Sequence, residues 1–278
     1  MIKRSFTLEV GDGEHVDGEV RLPAGPPPRA AVVIVHGFKG FKDWAFFPHV
    51  AEELAAEGFA AVTFNFSRNG VVRAAPMEFT DLERFATNTF SREVAELRRV
   101  IDATLGGEVS GRPHRRVGLL GHSRGGGTAI LVGAQDPRIE ALVTWGAVST
   151  FDRWSKETVA EWREAGRLHV LNGRTGQQMP LDSTLLEDYE RNRGALDIME
   201  SARHLTMPWL IVHGDQDTTV LPDDAHRLVQ ASPVARLVLI EEGGHTFNAA
   251  HPFEESPPAL DAAVAATVRY FGERLSRD

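Results

Sequence analysis

The chain has 278 residues, 42% of them hydrophobic and 25% charged, and its formal net charge is −9. A chain of this length and composition can bury a full core without disulfides or metals, and its acidity argues against nucleic acid or an anionic membrane as a partner, because both require basic patches. The sequence contains no cysteine, which excludes disulfides, thiolate catalysis and cysteine metal sites.

The start of the chain carries no targeting signal that we recognise. "MIKRSFTLEV" lacks the apolar core of a signal peptide and alternates like a strand. No run approaches the ~18 apolar residues that a membrane span requires. We therefore expect a cytoplasmic protein with neither a membrane nor a nucleic-acid partner, and the sequence leaves a homo-oligomer open.

The first half of the chain alternates strands with helices. Two strands, Lys3–Val10 and Glu14–Leu22, flank the turn "GDG". Runs that are apolar on both faces, as in central parallel strands, predict further strands at "AAVVIVHG", "FAAVTFNF" and "RRVGLLG". Helical spacing predicts helices at Phe46–Gly58, Ser91–Leu105 and Ser123–Gln135.

The second half continues the alternation. Strands are predicted at "IEALVTWGA", "PWLIVHG" and "ARLVLIEE", and helices at Asp223–Ala231 and Leu260–Leu275. Strands that alternate with helices predict an α/β fold with a mostly parallel sheet of about eight strands and helices on both faces.

The alternation breaks once, after the sixth strand. Between Ser149 and Met207 we predict a helix at Lys156–Ala165, a hairpin over "RLHVLNGRTGQQMPL" and an acidic helix at Ser183–Arg193. This stretch is too short and too poor in core residues to be an independent domain. We therefore predict one domain over 1–278, with a small insertion, or lid, at 151–203.

The segment "LLGHSRGGGTA" places Ser123 between Gly121 and Gly125, where a buried strand ends and a helix begins. G-x-S-x-G in this context is typical of a nucleophile elbow, a turn that lifts the serine hydroxyl clear of the sheet. The turn also sets the serine at a helix N-terminus, whose N–H groups favour an oxyanion. The alternative is a serine that only caps the helix.

A catalytic serine needs a base to take its proton, usually a histidine that a carboxylate orients. Later loops at the carboxyl ends of predicted strands offer Asp215 and Asp217, and then His245. Open α/β sheets place their sites at this edge, so the three loops can converge. His226 and His251 are rival bases, but His226 falls within a predicted helix.

The chain resembles the α/β-hydrolase superfamily over nearly its whole length, with "HGFKG", "FNFSRNG", "GHSRGG", "HGDQDTTVLP" and "GGHTF" in the expected order. In that family the acid ends an H-G-x-x-D stretch, which implies the triad Ser123, Asp217 and His245. The resemblance also implies an oxyanion hole formed by the backbone N–H groups of Phe38 and Arg124.

Three further histidines, His36, His122 and His213, also occupy positions typical of the family. We interpret them as residues that hold loops by hydrogen bonds. Their scatter along the chain gives no metal-ligand spacing.

Within the superfamily, "HGFKGFKDWAFFP" and "NGRTGQQMPL" are most similar to small bacterial serine esterases, near the cinnamoyl (feruloyl) esterases and the prolyl-oligopeptidase-like hydrolases. The resemblance implies hydrolysis of a small-molecule ester, of short acyl, aryl or cinnamoyl type, through an acyl-serine and without a cofactor or metal. The alternatives are a peptidase, a thioesterase or an acyltransferase on the same triad, and a binding protein without catalysis. The complete Ser, Asp and His set argues against the last.

The insertion carries more large apolar residues than an exposed loop would keep in water. Because it leaves the sheet edge that carries Ser123, we expect some of these residues to wall a substrate cleft. Met179 and Leu185 are the predicted substrate-binding residues. The alternative is that all of them only fasten the insertion to the body.

Overall fold

The computed structural model describes residues 1–28 and 30–275. These residues form twelve strands: β1 (Ile2–Glu9), β2 (His15–Leu22), β3 (Ala31–Val35), β4 (Ala60–Asn65), β5 (Val71–Val72), β6 (Ala75–Phe79), β7 (Val117–His122), β8 (Ile139–Trp145), β9 (Arg167–Leu171), β10 (Gln178–Asp182), β11 (Trp209–Gly214) and β12 (Ala235–Ile240). Eight of them form one sheet in the order β1-β2-β4-β3-β7-β8-β11-β12.

The sheet is antiparallel at one edge and parallel elsewhere. Strands β1 and β2 pair antiparallel with each other, and β2 pairs antiparallel with β4. Every other neighbouring pair is parallel. Every residue of the central strands β3, β4 and β7 is buried, which is why their sequences are apolar on both faces. The predicted fold class is confirmed.

Helices cover both faces of the sheet. The described residues contain α1 (Phe47–Ala56), α2 (Leu82–Ala86), α3 (Phe90–Gly106), α4 (Arg124–Gly133), α5 (Lys156–Ala165), α6 (Thr184–Arg191), α7 (Ile198–His204), α8 (Pro222–Ala231) and α9 (Pro258–Leu275). Helices α1 and α9 share one apolar cluster with the sheet, and α3, α4 and α8 share the other. None of these helices is both long enough and apolar enough to cross a bilayer.

Local signals in the sequence explain where several helices begin and end. The side chain of Ser155 accepts a hydrogen bond from the Thr158 N–H at the start of α5, and Gly166 follows the helix in the left-handed region, at φ 72°. The predicted bounds of this helix are confirmed. Helix α4 begins one residue later than predicted, because Ser123 has a non-helical backbone.

Two small regions contain elements that the sequence does not predict. Strands β5 and β6 and helix α2 lie between Val71 and Ala86, and α7 follows the insertion's acidic helix. Strand β5 has two residues and α2 has five. Neither is long enough to show a period in the sequence.

The insertion after β8 contains α5, the antiparallel hairpin of β9 and β10, and α6. Its buried side chains include Phe151, Trp162, Met179 and Leu185, and all four belong to the apolar cluster that α3, α4 and the sheet share. The insertion is therefore packed onto the body of the molecule.

Candidate active site

Ser123 occupies the turn between β7 and α4, with φ 57° and ψ −121°. This turn brings strand and helix so close that a Cβ on Gly121 would lie 2.5 Å from the Gly125 carbonyl oxygen. A Cβ on Gly125 would lie 2.4 Å from the His36 carbonyl oxygen. Neither glycine of G-x-S-x-G therefore leaves room for a side chain.

The structure brings together the three side chains that the sequence predicts to converge. His245 Nε2 lies 3.0 Å from Ser123 Oγ, and His245 Nδ1 lies 2.7 Å from Asp217 Oδ2. The three residues follow β7, β11 and β12, whose carboxyl ends meet at one edge of the sheet. Because the carboxylate accepts the Nδ1 proton, Nε2 is left to accept the serine proton.

Asp217 is buried, and both of its carboxylate oxygens accept hydrogen bonds. Its Oδ1 accepts the backbone N–H groups of Thr219 (2.8 Å) and Val220 (2.9 Å), and His213 Nε2 lies 3.4 Å from Oδ2. Burial opposes ionisation, but the hydrogen bonds from His213, His245 and Val220 hold the pKa of Asp217 well below its usual range. Asp215, two residues earlier, is exposed.

The rival bases lie elsewhere. His226 is exposed on α8. His251 accepts the Ala45 N–H at Nδ1 (2.9 Å) and stacks on Trp44, with ring centroids 6.0 Å apart. Within the described residues, neither histidine bonds to Ser123.

The other three histidines hold loops, as the sequence indicates. His36 Nε2 accepts the Phe66 N–H (3.3 Å), so Nδ1 carries the proton and donates to the Gly37 carbonyl (3.0 Å). Burial lowers the pKa of His36 to about 4. His122 Nε2 bonds to the His245 carbonyl (3.0 Å), and burial with the nearby His245 lowers the pKa of His122 to about 3. His213 Nε2 bonds to the Val220 carbonyl at 2.8 Å.

Two backbone N–H groups beside Ser123, those of Phe38 and Arg124, are the expected donors of the oxyanion hole. A Cβ on Gly37 would lie 2.9 Å from the Ser123 Cβ, so the loop that carries Phe38 passes directly against the serine. Arg124 is the first residue of α4, where an N–H has no partner within the helix. In the described part of the chain neither the Phe38 nor the Arg124 N–H donates a hydrogen bond.

A cleft of about 190 Å³ opens beside Ser123. Its polar lining includes Arg124, Arg153 and Thr219, and its apolar lining consists of Phe38, Phe90, Val148, Phe151, Trp154, Val170 and Val220. In residues 1–28 and 30–275, no group of three His, Asp or Glu side chains is placed to bind a metal ion.

Met179 and Leu185, the predicted substrate-binding residues, do not line this cleft. Met179 is 0% exposed and Leu185 is 1% exposed, and both pack in the core. Met179 pairs with Val170 across the β9–β10 hairpin, and Val170 is the member of the pair that reaches the cleft. The insertion's apolar wall is therefore Val170, on the strand next to Met179, together with Phe151 and Trp154, which precede α5.

Comparison with known proteins agrees with this fold. A model of the alpha/beta hydrolase family matches residues 32–263, and the chain belongs to that family. It is 26% identical over 241 residues to 2,6-dihydropseudooxynicotine hydrolase of Paenarthrobacter nicotinovorans, a match that covers 85% of this chain. The chain spans only 58% of the length of that relative.

Solved esterase structures have the same fold. Est1E from Butyrivibrio proteoclasticus with bound ferulic acid is similar at a TM-score of 0.74 and 19% identity, covering 98% of this chain and 100% of that one. The esterase domain of a Rhodothermus marinus protein gives a TM-score of 0.67 at 20% identity, covering 99% and 100%. The family match identifies the chain as a hydrolase, and the solved structures show the same fold.

Proposed function

We propose that the protein hydrolyses carboxylic esters of short acyl or aryl acids, with Ser123 as nucleophile, His245 as general base and acid, and Asp217 as the residue that orients the imidazole. The continuous pair of hydrogen bonds, 3.0 Å from Ser123 to His245 and 2.7 Å from His245 to Asp217, carries this proposal. These distances are within the reach that proton transfer requires.

In the first half of the reaction, Ser123 Oγ attacks the ester carbonyl carbon while His245 Nε2 takes the hydroxyl proton. The negative charge that develops on the carbonyl oxygen is met by the N–H groups of Phe38 and Arg124. One such donor is worth roughly 3–4 kcal/mol to the transition state. When the carbon–oxygen bond of the ester breaks, the imidazolium returns its proton to the departing alcohol, and the acyl group remains on Ser123.

In the second half, water attacks the acyl-serine and gives its proton to His245 Nε2. The tetrahedral intermediate then collapses, the acid departs, and Ser123 Oγ recovers the proton from the imidazolium. The net reaction consumes one ester and one water and yields one acid and one alcohol. Asp217 stays ionised throughout, because its hydrogen bonds stabilise the carboxylate and not the acid.

The cleft supports a substrate of modest size. A protein cavity of about 150 Å³ can hold one benzene molecule, so the cleft of about 190 Å³ has room for one ring with a short substituent. Its aromatic walls suit an aryl or short acyl group. Ferulic acid, which is bound in the similar Est1E, is an acid of this class.

Covalent labelling tests the proposed nucleophile. A fluorophosphonate probe should label the wild-type protein at Ser123, and Ser123→Ala should not be labelled. The variant should also lose nearly all turnover of p-nitrophenyl esters, down to a residual catalysis of ~10³-fold over water from the oxyanion donors. Ser5→Ala, on the exposed edge strand β1, is the matched control and should behave as wild type.

Labelling at another residue, or near-normal turnover in Ser123→Ala, would contradict the assignment. A panel of p-nitrophenyl esters, methyl hydroxycinnamates, and peptide and thioester analogues of the same acyl groups tests the ester preference. We expect kcat/KM to be highest for the esters. A higher value for peptides or thioesters would leave the triad in place and overturn the substrate class.

A further inference from the structure

Arg124 has a side chain that the proposed reaction does not use. Its guanidinium carbon lies 4.1 Å from the centroid of the Phe38 ring and 5.0 Å from that of Phe90. The side chain is 10% exposed and lines the cleft beside Ser123. Two aromatic rings therefore hold a cation in place within the cleft that would receive the substrate.

This cation is poorly paired. Its one acceptor in the described part of the chain is Glu93 Oε1, 3.5 Å from Arg124 Nη1, so Nε and Nη2 reach none. The other carboxylate oxygen of Glu93 is buried without a partner, and burial raises the pKa of Glu93 although Arg124 lies beside it. Neither Nε nor Nη2 of Arg124 is among the fully buried atoms that lack a partner in the described residues, so both can exchange water for the oxygens of a ligand.

A second cation lies in the same cleft. Arg153 donates from Nη2 to the Thr219 carbonyl at 2.8 Å, and its Nη1 lies 3.8 Å from Asp224. Among the described residues that line the cleft there is no Asp or Glu. The lining therefore presents two cations and no carboxylate to a substrate, in a chain whose net charge is −9. Glu93 and Asp224, the carboxylates nearest to these cations, lie outside the lining.

We propose that the ester substrate carries an ionised carboxylate, which the Arg124 guanidinium binds in the cleft while Arg153 attracts it from the rim. A planar guanidinium that two rings hold in place, with Nε and Nη2 unpaired, can bind the two oxygens of a carboxylate. The inference rests on the proposed esterase function and narrows it to esters of acidic compounds, such as half-esters of short dicarboxylic acids. Neutral esters of the same size should be poorer substrates.

The test compares matched pairs of esters. On the acyl side, p-nitrophenyl hemiglutarate is compared with p-nitrophenyl valerate, and on the alcohol side 4-carboxyphenyl acetate with 4-methylphenyl acetate. The quantity measured is the ratio of kcat/KM for the anionic and neutral members. Comparing this ratio between enzymes cancels the intrinsic reactivity of the esters. We expect Arg124→Gln to lower it at least about tenfold in one pair, because a charge-assisted hydrogen bond is lost.

Two further variants sharpen the test. Arg124→Lys keeps the charge without the two-pronged geometry and should fall between wild type and Arg124→Gln. Arg153→Gln, at an exposed position, should lower the ratio about two- to fivefold, and salt should diminish its effect. Arg163→Gln removes an equal charge from an exposed pair with Glu190 on the outer side of the insertion, and should leave the ratio unchanged.

If Arg124→Gln does not fold, the ratio in Arg153→Gln decides the question. An unchanged ratio in both variants, or in Arg153→Gln alone where the other is lost, overturns the inference. An equal fall in Arg163→Gln would do the same, because the effect would then come from net charge. A different result would contradict the proposed function itself: neither neutral nor anionic esters are hydrolysed, and Ser123 does not react with the fluorophosphonate.

Discussion

At the scale of single residues, two aspartates in one loop differ sharply in their surroundings. Asp217 is buried and bonded to His245, whereas Asp215 is exposed two residues away. Asp217→Asn should lower kcat by up to ~10⁴-fold, because an amide favours the wrong imidazole tautomer. Asp215→Asn is the matched control and should have a small effect. Steady-state kinetics on one p-nitrophenyl ester measures both, and the reverse ranking would contradict the proposed role of Asp217.

His36 makes the stability of the protein depend on pH. Its neutral ring already uses both nitrogens, so a second proton would face the Phe66 N–H. The unfolded chain takes up a proton near pH 6.5, but the pKa of the folded ring is about 4. Stability should therefore fall as the pH drops from 6.5 to 4, with about 3 kcal/mol from this residue. Below pH 4 this contribution does not decrease further.

Thermal unfolding of His36→Gln tests this pH dependence. The slope of Tm against pH between 6.5 and 4 should be smaller than in wild type, but not zero, since the pKa of His122 is lowered in the same direction. His226→Gln, at an exposed position on α8, should keep the wild-type slope. Equal slopes in all three proteins would mean that His36 takes up its proton in the folded state as readily as in the unfolded chain.

The sequence predicts some of these residue positions and not others. Ser123 and His245 could be located because each follows an apolar strand and has glycine neighbours. The side chain of Arg124 could not, since its placement depends on Phe38 and Phe90, which come from two distant segments. Sequence patterns report local periodicity, whereas contact between a guanidinium and these two rings exists only in the folded molecule.

At the scale of secondary-structure elements, the β9–β10 hairpin shows a similar limit. Alternation and pairing place Met179 and Val170 on one face of the hairpin, but they do not indicate which strand of that face lies over the core and which reaches the cleft. The answer depends on how the hairpin sits on the body. The short elements between Val71 and Ala86 were missed for the different reason of length.

The structure places Met179 in the core and Trp154 in the cleft wall, and this difference predicts opposite effects for two variants. Met179→Ala should destabilise the protein by roughly 2–5 kcal/mol through the cavity it leaves, while the ranking of p-nitrophenyl acyl esters stays that of wild type. Trp154→Ala should change that ranking towards longer acyl chains, because each methylene in an apolar pocket is worth roughly 1–3 kcal/mol. Melting temperatures and kcat/KM over a chain-length series measure both effects. A changed ranking in Met179→Ala alone would show that the original assignment was right.

At the scale of the whole molecule, the insertion and the sheet share one apolar cluster. Trp162 of the insertion is 1% exposed and donates to the Leu181 carbonyl at 2.7 Å. We therefore expect one cooperative thermal transition, in which tryptophan fluorescence and far-UV circular dichroism coincide. A double variant, Trp154→Phe with Trp162→Phe, removes the insertion's fluorescence; its midpoint should fall because the buried hydrogen bond to Leu181 is lost, but its two transitions should still coincide. A fluorescence transition at lower temperature in wild type only would mean that the insertion unfolds first.

The backbone of Ser123 has a further consequence for anyone who alters this protein. A non-glycine residue at φ 57° and ψ −121° is strained, and such strain costs of order 1–3 kcal/mol. Glycine tolerates this conformation, so at this position heat resistance and turnover favour different amino acids. Directed evolution that selects survivors of heating without an assay for product would therefore enrich inactive molecules, and position 123 should stay fixed in any such library.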